Sequence, residues 1–303
     1  MTEHSHGTTD FSEHKRVLGL VLALSSVVLL AELLGAVLSG SLALLADAGH
    51  VFTDMAGLII ALVGATLMTL PETAKRTWGY RRIEILAAAL QSMLLLGVGV
   101  YVIVEAIRRL FEPEHVNPTL MIWFGVVGLL ANGAAIVLLT RIEKENLNTK
   151  AAMLEVINDA LGSVAVVIAG LIIAATGWNY ADAVVSLLIG GLILPRSWKL
   201  LRETLHVLME AAPKNVDLDD LRAHILKLEG VVDIHDLHAS LIGSDLPVIT
   251  AHVTANMDLF TDGRVPLLLT EIRKCLKGHF DLEHSTIQIE PVGFRVQEHR
   301  THD

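Results

Sequence analysis

The chain has 303 residues, of which 52% are hydrophobic, a mean hydropathy of +0.55 and a formal net charge of −10 at pH 7. This balance is too apolar for an ordinary soluble domain of this length and indicates a polytopic membrane protein. The negative charge and the lack of a basic run argue against nucleic acid as a partner, and the single cysteine, Cys275, excludes an intrachain disulfide and a thiolate-rich metal cluster.

Six apolar segments follow a short polar tail. Residues 1–15 contain histidines but neither the apolar region nor the cleavage site of a signal peptide, and we expect this tail to be disordered. Each segment is long enough, or nearly long enough, to cross a bilayer core that requires about 20 residues. The segments lie near 16–39, 43–69, 81–109, 118–141, 150–176 and 180–200. Residues 16–207 are thus predicted to form a six-helix transmembrane domain.

From residue 208 the apolar segments give way to patterns typical of a water-soluble domain. An amphipathic helix with acidic residues in its first turn is followed by two alternating stretches typical of strands, a second helix and a final strand. The order is α-β-β-α-β. Residues 208–303 are therefore predicted to form a small α+β domain, with helices on one side of a sheet.

Basic residues in the short loops indicate the orientation of the chain. With six crossings, the loops after the second and fourth segments lie on the same side as both chain ends. The basic residues on that side are Lys15, Arg16, Lys75, Arg76, Arg81, Arg82, Arg141, Lys144, Lys150, Arg196, Lys199 and Arg202. We therefore expect cytoplasmic termini and a cytoplasmic C-terminal domain, although Arg108 and Arg109 lie at the opposite end of the third segment.

Two apolar segments contain ionisable residues spaced four apart. His50 and Asp54 lie in the second segment, and Glu155 and Asp159 lie in the fifth. Such residues share one helix face, with Cβ atoms about 6 Å apart, and each ionisable group at membrane depth costs about 3 kcal/mol on insertion scales. Together the pairs supply one imidazole and three carboxylates, which suit a tetrahedral divalent site with Zn²⁺ as the first candidate. The alternative is hydrogen bonding between the helices without a metal ion.

Other polar and small residues lie near these pairs. Asp47, one turn before His50, is a candidate accessory ligand. Gly57 and Gly162 each follow an aspartate of the pairs by three positions and would let the helices approach closely. Packing, capping or water-path roles are expected for the remaining polar residues of the segments, Glu32, Asn132 and Asp182.

The stretches "GSLALLADAGHVFTD", "GYRRIEIL", "NDALGS" and "LMEAAP", with the series "HDLH…AHV…IQIE", resemble signatures of the cation diffusion facilitator family of metal–proton antiporters. The resemblance covers nearly the whole chain beyond the N-terminal tail. It implies six transmembrane helices, a ferredoxin-like cytoplasmic domain through which the chain forms a homodimer, and exchange of a divalent metal ion for protons. It also implies that His50, Asp54 and Asp159 bind the transported ion, and that no organic cofactor is needed.

The chain departs from the family pattern at two positions. Zinc-transporting members usually have a histidine in the fifth helix where this chain has Glu155. Because a carboxylate is a harder ligand than imidazole, the site should accept Mn²⁺, Fe²⁺ or Co²⁺ better than a site with two histidines would. These three ions and Cd²⁺ stay as alternatives to Zn²⁺. Some members bind metal through a histidine in the loop between the second and third helices. This chain has Arg81 there, so that site is not predicted.

Histidines of the C-terminal domain form a second candidate metal site. His235 and His252 lie on the two strands of a predicted hairpin and should face each other. His238, three residues further along the first strand, should point to the other face. The family often binds additional metal at positions matching His235, His252 and Glu290. His284, which precedes the strand that ends at Glu290, is a fourth candidate ligand of this site. Solvated or dimer-interface roles are the alternative.

These observations predict divalent metal efflux, most simply Zn²⁺/H⁺ antiport by alternating access across a bacterial inner membrane. An intramembrane metalloenzyme is disfavoured because the sequence has no HExxH motif and no evident general base beside an open coordination position. A membrane-anchored metal sensor would not need four ligands at membrane depth. A channel is disfavoured because a four-ligand site would hold the ion too long for rapid conduction.

Overall fold

A computed structural model describes residues 7–68, 70–140, 147–243, 246–280 and 284–294. Six long helices come first, followed by shorter helices and three strands. The elements are α1 (Gly7–Ser39), α2 (Leu42–Met68), α3 (Arg82–Phe111), α4 (Pro118–Thr140), α5 (Leu147–Thr176), α6 (Tyr180–Leu208), α7 (Leu218–Leu226), β1 (Val231–Leu241), β2 (Pro247–Ala255), α8 (Met257–Thr261), α9 (Val265–Phe280) and β3 (His284–Pro291). The predicted fold class, a helical membrane protein with a small C-terminal α+β domain, is confirmed.

The long helices have the length and surface of membrane spans. Within the described residues, five stretches are long and apolar enough to cross a bilayer: Leu22–Ser39, Arg82–Phe111, Pro118–Thr140, Met153–Thr176 and Tyr180–Leu208. Large apolar side chains cover their outer faces, as in Val37, Leu130 and Leu192, which are 75%, 69% and 78% exposed. The remaining predicted crossing is the second along the chain, residues 43–69. It corresponds to α2, whose 27 residues form about 40 Å of helix. The chain is an integral membrane protein, and the α2 crossing stays a prediction.

The structure differs from the predicted N-terminal tail. Residues 1–6 lie outside the described residues, whereas α1 already begins at Gly7, so residues 7–15 are helical. Starting a helix is costly, but each residue added to an existing helix forms a further hydrogen bond. The apolar part of α1 therefore supports additional helical turns toward the N-terminus, which composition alone did not indicate.

The chain forms two compact units. One contains the chain up to Leu62 and resumes from Ala88 to Leu201, and the other contains Val63–Ala87 and the residues from Arg202 onward. In the first unit, α4 packs against α1 and α5. Its buried core combines small and large apolar side chains, among them Ala43, Ala46, Val102, Met121, Val166, Ala169 and Ala181. Small residues at helix contacts allow close approach of the backbones in a membrane.

The start of α2 is held by a side chain of α6. Asp182 is 1% exposed, and its carboxylate accepts hydrogen bonds from Ser41 Oγ at 2.6 Å and from the backbone N–H groups of Leu42 at 2.9 Å and Ala43 at 3.1 Å. A helix leaves the N–H groups of its first turn without intrahelical partners. Asp182 therefore caps α2 from a neighbouring helix, and Arg109 Nη1 lies 3.5 Å from the same carboxylate.

The second unit contains a three-stranded sheet in the order β1-β2-β3. β1 pairs with β2 in antiparallel orientation, and β2 pairs with β3 in parallel orientation. The predicted strands and both predicted helices are present. The additional helix α8 has only five residues, too few to show a helical period in the sequence. Apolar side chains of α7, α9 and the sheet form the core, among them Leu221, Ile225, Ile234, Val253, Ile272 and Leu276.

A bulge in β1 changes the face of one histidine. β1 pairs His235 with His252 and then His238 with Thr250, so two residues of β1 oppose one residue of β2. Asp236, inside the bulge, has a φ of 48°, in the left-handed region that aspartate tolerates better than most residues. The extra residue returns His238 to the same face as His235. The prediction of opposite faces is wrong because it assumed a regular strand.

Candidate metal sites

Four ionisable side chains converge between α2 and α5. His50 and Asp54 come from α2, and Glu155 and Asp159 come from α5. One ligand atom from each side chain lies within 4.8 Å of the other three. The four side chains are largely buried. Each helix thus contributes one pair on one face, as the spacing of four residues predicts.

The distances in this group fit a metal centre better than hydrogen bonds. His50 Nε2 lies 3.5 Å from Asp54 Oδ2 and 3.7 Å from both Glu155 Oε1 and Asp159 Oδ1. Hydrogen bonds from N–H to oxygen are about 2.7–3.2 Å long. Ligands about 2.1 Å from a Zn²⁺ ion at the corners of a tetrahedron are about 3.4 Å apart. The three distances from His50 Nε2 are therefore close to the edge length of such a tetrahedron.

The same oxygen atoms lack other partners. Asp54 Oδ2, Glu155 Oε1 and Asp159 Oδ1 are buried and accept no hydrogen bond from any residue that the structure describes. Buried carboxylate oxygens without a donor are costly, because nothing compensates for the water that they lost. The assignment of these four side chains as metal ligands stays a prediction. The three atoms face a common volume with His50 Nε2, where a divalent cation would compensate their charge.

A fifth charged residue, which was not predicted as part of this site, contacts it. Arg196 Nη2, from α6, lies 2.7 Å from Glu155 Oε2. Glu155 thus has one oxygen bound by a guanidinium and the other directed at His50. From the sequence, Arg196 was expected only to contribute to the orientation of the chain. Its position after Pro195, inside the sixth apolar segment, was the available signal, because an ionisable residue in a span usually has a partner there.

Asp47 lies outside the group of four. Ser163 Oγ donates a hydrogen bond of 3.5 Å to Asp47 Oδ2, and a Cβ added to Gly162 would lie 2.6 Å from Asp47 Oδ1. Gly162 therefore lets α5 approach α2 closely, as expected. Gly57 instead faces the side chain of Gln91 in α3. The accessory role of Asp47 stays a prediction.

A second group of candidate ligands lies on the sheet of the C-terminal domain. His235 Nε2 lies 2.9 Å from Glu290 Oε1, and His252 Nδ1 lies 3.6 Å from the same oxygen. The two imidazole rings are 5.4 Å apart between centroids, and ligand atoms of all three residues lie within 4.8 Å of one another. Cross-strand pairing of the histidines brings these side chains together.

His284 does not join this second group, contrary to the prediction. It lies at the start of β3 and pairs with Val248, whereas Glu290 lies near the other end of the strand. Six residues of strand span about 20 Å. The ring of His284 instead contacts Trp78 edge-on, with centroids 4.8 Å apart. A histidine close to Glu290 in sequence is thus distant in space, because the intervening residues are extended.

Comparison with known proteins identifies the family of both parts of the chain. The model of the cation efflux transmembrane domain matches residues 18–209, and that of the cation efflux protein cytoplasmic domain matches residues 213–292. The metal cation efflux system protein CzcD of Cupriavidus metallidurans is 40% identical over 287 residues, which cover 95% of this chain and 89% of that protein. The zinc transporter ZitB of Escherichia coli is 38% identical over 291 residues, with 95% and 91% covered.

A further relative and a solved structure are also similar to this chain. The cadmium, cobalt and zinc/H(+)-K(+) antiporter of Bacillus subtilis is 35% identical over 289 residues, which cover 95% of this chain and 91% of that protein. Among solved structures, the metal-bound C-terminal domain of the CzcD transporter from Cupriavidus metallidurans is 35% identical. The match covers 25% of this chain and 99% of that domain, with a TM-score of 0.23.

Proposed function

The chain belongs to the cation efflux family, and from this premise we propose that it exports Zn²⁺ in exchange for protons. Export of divalent metal cations is the activity named for its relatives, and these are transporters rather than enzymes. The observation that carries the choice of Zn²⁺ is the group of His50, Asp54, Glu155 and Asp159. In this group His50 Nε2 lies 3.5–3.7 Å from one oxygen of each carboxylate, which is close to the edge length of a tetrahedron of ligands around that ion.

Proton coupling follows from the chemistry of these ligands. A metal ion binds the neutral form of imidazole and the ionised form of a carboxylate, so metal and protons compete for the same atoms. Zn²⁺ arriving from the cytoplasm displaces protons from the group of four. After the helices rearrange, protons from the opposite side compete the ion off, and imidazole titrates in the physiological range. The direction of net movement is set by the two gradients together.

The location and assembly of the protein belong to the same proposal. We assign it to a bacterial inner membrane, with both termini and the C-terminal domain in the cytoplasm. The basic residues of the loops after α2 and α4 support this orientation. The protein forms a homodimer through its C-terminal domain, and His235, His252 and Glu290 form a regulatory Zn²⁺ site there. The proximity of their ligand atoms supports this second site.

Metal flux into vesicles tests the proposal. The full chain is reconstituted into liposomes with an imposed pH gradient, and entry of Zn²⁺, Cd²⁺, Co²⁺, Mn²⁺ and Fe²⁺ is followed with parallel measurement of internal pH. Zn²⁺ flux that depends on the gradient, moves protons in the opposite direction and is lost in Asp159→Ala supports the proposal. Zn²⁺ flux that leaves internal pH unchanged refutes antiport, and flux of another ion in preference to Zn²⁺ refutes the assigned substrate.

A further inference from the structure

We propose that Arg196 determines the affinity and selectivity of the intramembrane metal centre, by giving the Glu155–Arg196 pair the charge of a neutral ligand. This inference rests on the proposed function, because it concerns how the same site holds its ion. Arg196 is not a ligand, since a guanidinium has only donors and no free electron pair to offer a cation. It contacts Glu155 at 2.7 Å, and its charge acts on the ion through the field at the site.

The charges of the site require a permanent cation near Glu155. Three carboxylates in the group of four carry three negative charges against the two positive charges of a divalent ion. Without Arg196 the occupied centre would keep one uncompensated negative charge, which is costly at membrane depth. A guanidinium stays protonated at any physiological pH and cancels this charge. The Glu155–Arg196 pair then has the net charge of an imidazole, the neutral ligand that the family pattern places at this position.

The same contact limits how Glu155 can bind an ion. Glu155 Oε2 is held by Arg196, and only Oε1 is directed at the common volume, 3.7 Å from His50 Nε2. Glu155 therefore contributes one oxygen to the ion, which completes a set of four ligand atoms. Four atoms in a tetrahedron suit Zn²⁺. Larger ions that take more oxygen ligands, such as Cd²⁺ and Mn²⁺, would gain from a carboxylate that binds through both oxygens.

Arg196 also connects the metal centre to a third helix. The ligands come from α2 and α5, and Arg196 extends from α6. Its side chain is 51% exposed and that of Glu155 is 29% exposed, so the ion pair lies at the border of the site. At this position a change of charge alters the field at the ion without removing any of the four ligands. Arg196 is thus a positioning residue, and its substitution leaves the coordinating atoms in place.

Zn²⁺ binding by the full chain in detergent, measured by titration calorimetry, tests this role. Arg196→Gln leaves the site one charge more negative, and we expect Zn²⁺ to bind about tenfold more tightly and to be transported with a lower kcat, because release slows. Cd²⁺ affinity should rise more than Zn²⁺ affinity, because both oxygens of Glu155 become available. Arg196→Lys keeps the charge and should bind Zn²⁺ within about threefold of wild type. The matched control is Lys199→Gln, which removes an exposed cation of the same helix. It should change neither the Zn²⁺ affinity nor the Cd²⁺ affinity.

A double variant separates this role from a structural one. In Glu155→His, Arg196 adds a positive charge that no third carboxylate balances, so Zn²⁺ should bind about tenfold more weakly than in wild type. Arg196→Gln in that background removes the excess charge and should return the affinity to within about threefold of wild type. Arg196→Gln therefore strengthens Zn²⁺ binding when residue 155 is glutamate and restores it when residue 155 is histidine. The double variant has the same net charge at the site as wild type.

The outcomes distinguish this inference from the proposed function. If Arg196→Gln binds Zn²⁺ with the same affinity as wild type, the role of Arg196 is overturned and the proposed transport function is unaffected. An equal loss of binding when Arg196→Gln is introduced into wild type and into Glu155→His overturns it as well, because that result indicates a structural contribution alone. If wild type binds no divalent ion and transports none, it is the proposed function that fails.

Discussion

Asp182 anchors the helix that carries His50 and Asp54, so its loss should weaken the transmembrane domain. Asp182→Asn keeps the size of the side chain but removes its charge and one acceptor oxygen. The carboxylate accepts hydrogen bonds from Ser41 Oγ, from two backbone N–H groups and, at 3.5 Å, from Arg109 Nη1. In asparagine one of the two oxygens is replaced by an NH₂ group, which cannot accept hydrogen bonds from these donors.

The magnitude follows from the partners that are left unsatisfied. Hydrogen bonds to a charged group contribute about 1.5–3 kcal/mol each, and removing one member of a buried ion pair costs about 3–5 kcal/mol. Because these contributions overlap, we expect the free energy of unfolding of Asp182→Asn to fall by about 3–5 kcal/mol. For a domain of this size, 1 kcal/mol lowers the melting temperature by about 2–4 °C. The melting temperature of Asp182→Asn should therefore fall by about 6–20 °C.

Thermal unfolding in detergent, followed by fluorescence-detected size exclusion, measures this effect. Ser41→Ala removes one of these donors and should lower the melting temperature by about 3–12 °C, as expected for one hydrogen bond to a charged group of about 1.5–3 kcal/mol. Glu112→Gln, an exposed acidic residue just beyond α3, is the control and should shift it by less than about 2 °C. A melting temperature in Asp182→Asn equal to that of the control would refute the capping role.

Three further predictions concern packing and the second metal site. Gly162→Val places new atoms against Asp47 and should weaken Zn²⁺ binding by about tenfold or more, through overpacking of about 1–3 kcal/mol. Gly133→Ala, where a Cβ meets no atom of the described residues within 4 Å, should leave Zn²⁺ affinity unchanged in the same titration. Glu290→Gln should reduce the Zn²⁺ bound per chain from two ions to one, counted by equilibrium dialysis with elemental analysis; an unchanged count would argue against the C-terminal site. Leu276→Ala empties a fully buried position and should destabilise the C-terminal domain by about 2–5 kcal/mol, measured by urea unfolding. A loss below about 1 kcal/mol would contradict the assigned core.

The elements that follow a simple period, and the clustering of the four candidate ligands, were predictable from the sequence. The strand Pro247–Ala255 and the helix Val265–Phe280 match the predicted stretches, because each has a clear alternation or helical period. His50, Asp54, Glu155 and Asp159 stand out because ionisable residues are rare in apolar segments. Their spacing of four residues then places each pair on one helix face. Local rules were sufficient for these features.

The features that were missed depend on irregular backbone or on contacts between distant residues. The bulge at Asp236 moves His238 to another face, and one inserted residue leaves no periodic signal in the sequence. His284 lies far from Glu290 because a strand is extended, so closeness in sequence was misleading. The contact of Arg196 with Glu155 joins two helices and depends on how they pack. No local pattern states which residues of two helices face each other.

The coordination of the bound ion tests the central claim most directly. X-ray absorption at the zinc edge can be measured on the Zn²⁺-loaded full chain carrying His235→Ala and Glu290→Gln, so that only the intramembrane site is filled. We predict four nitrogen and oxygen ligands at about 2.0–2.1 Å, with the multiple-scattering signal of one imidazole, which disappears in His50→Gln. A six-coordinate oxygen shell without imidazole, or a spectrum that His50→Gln leaves unchanged, would contradict the assignment of the transported ion to His50, Asp54, Glu155 and Asp159.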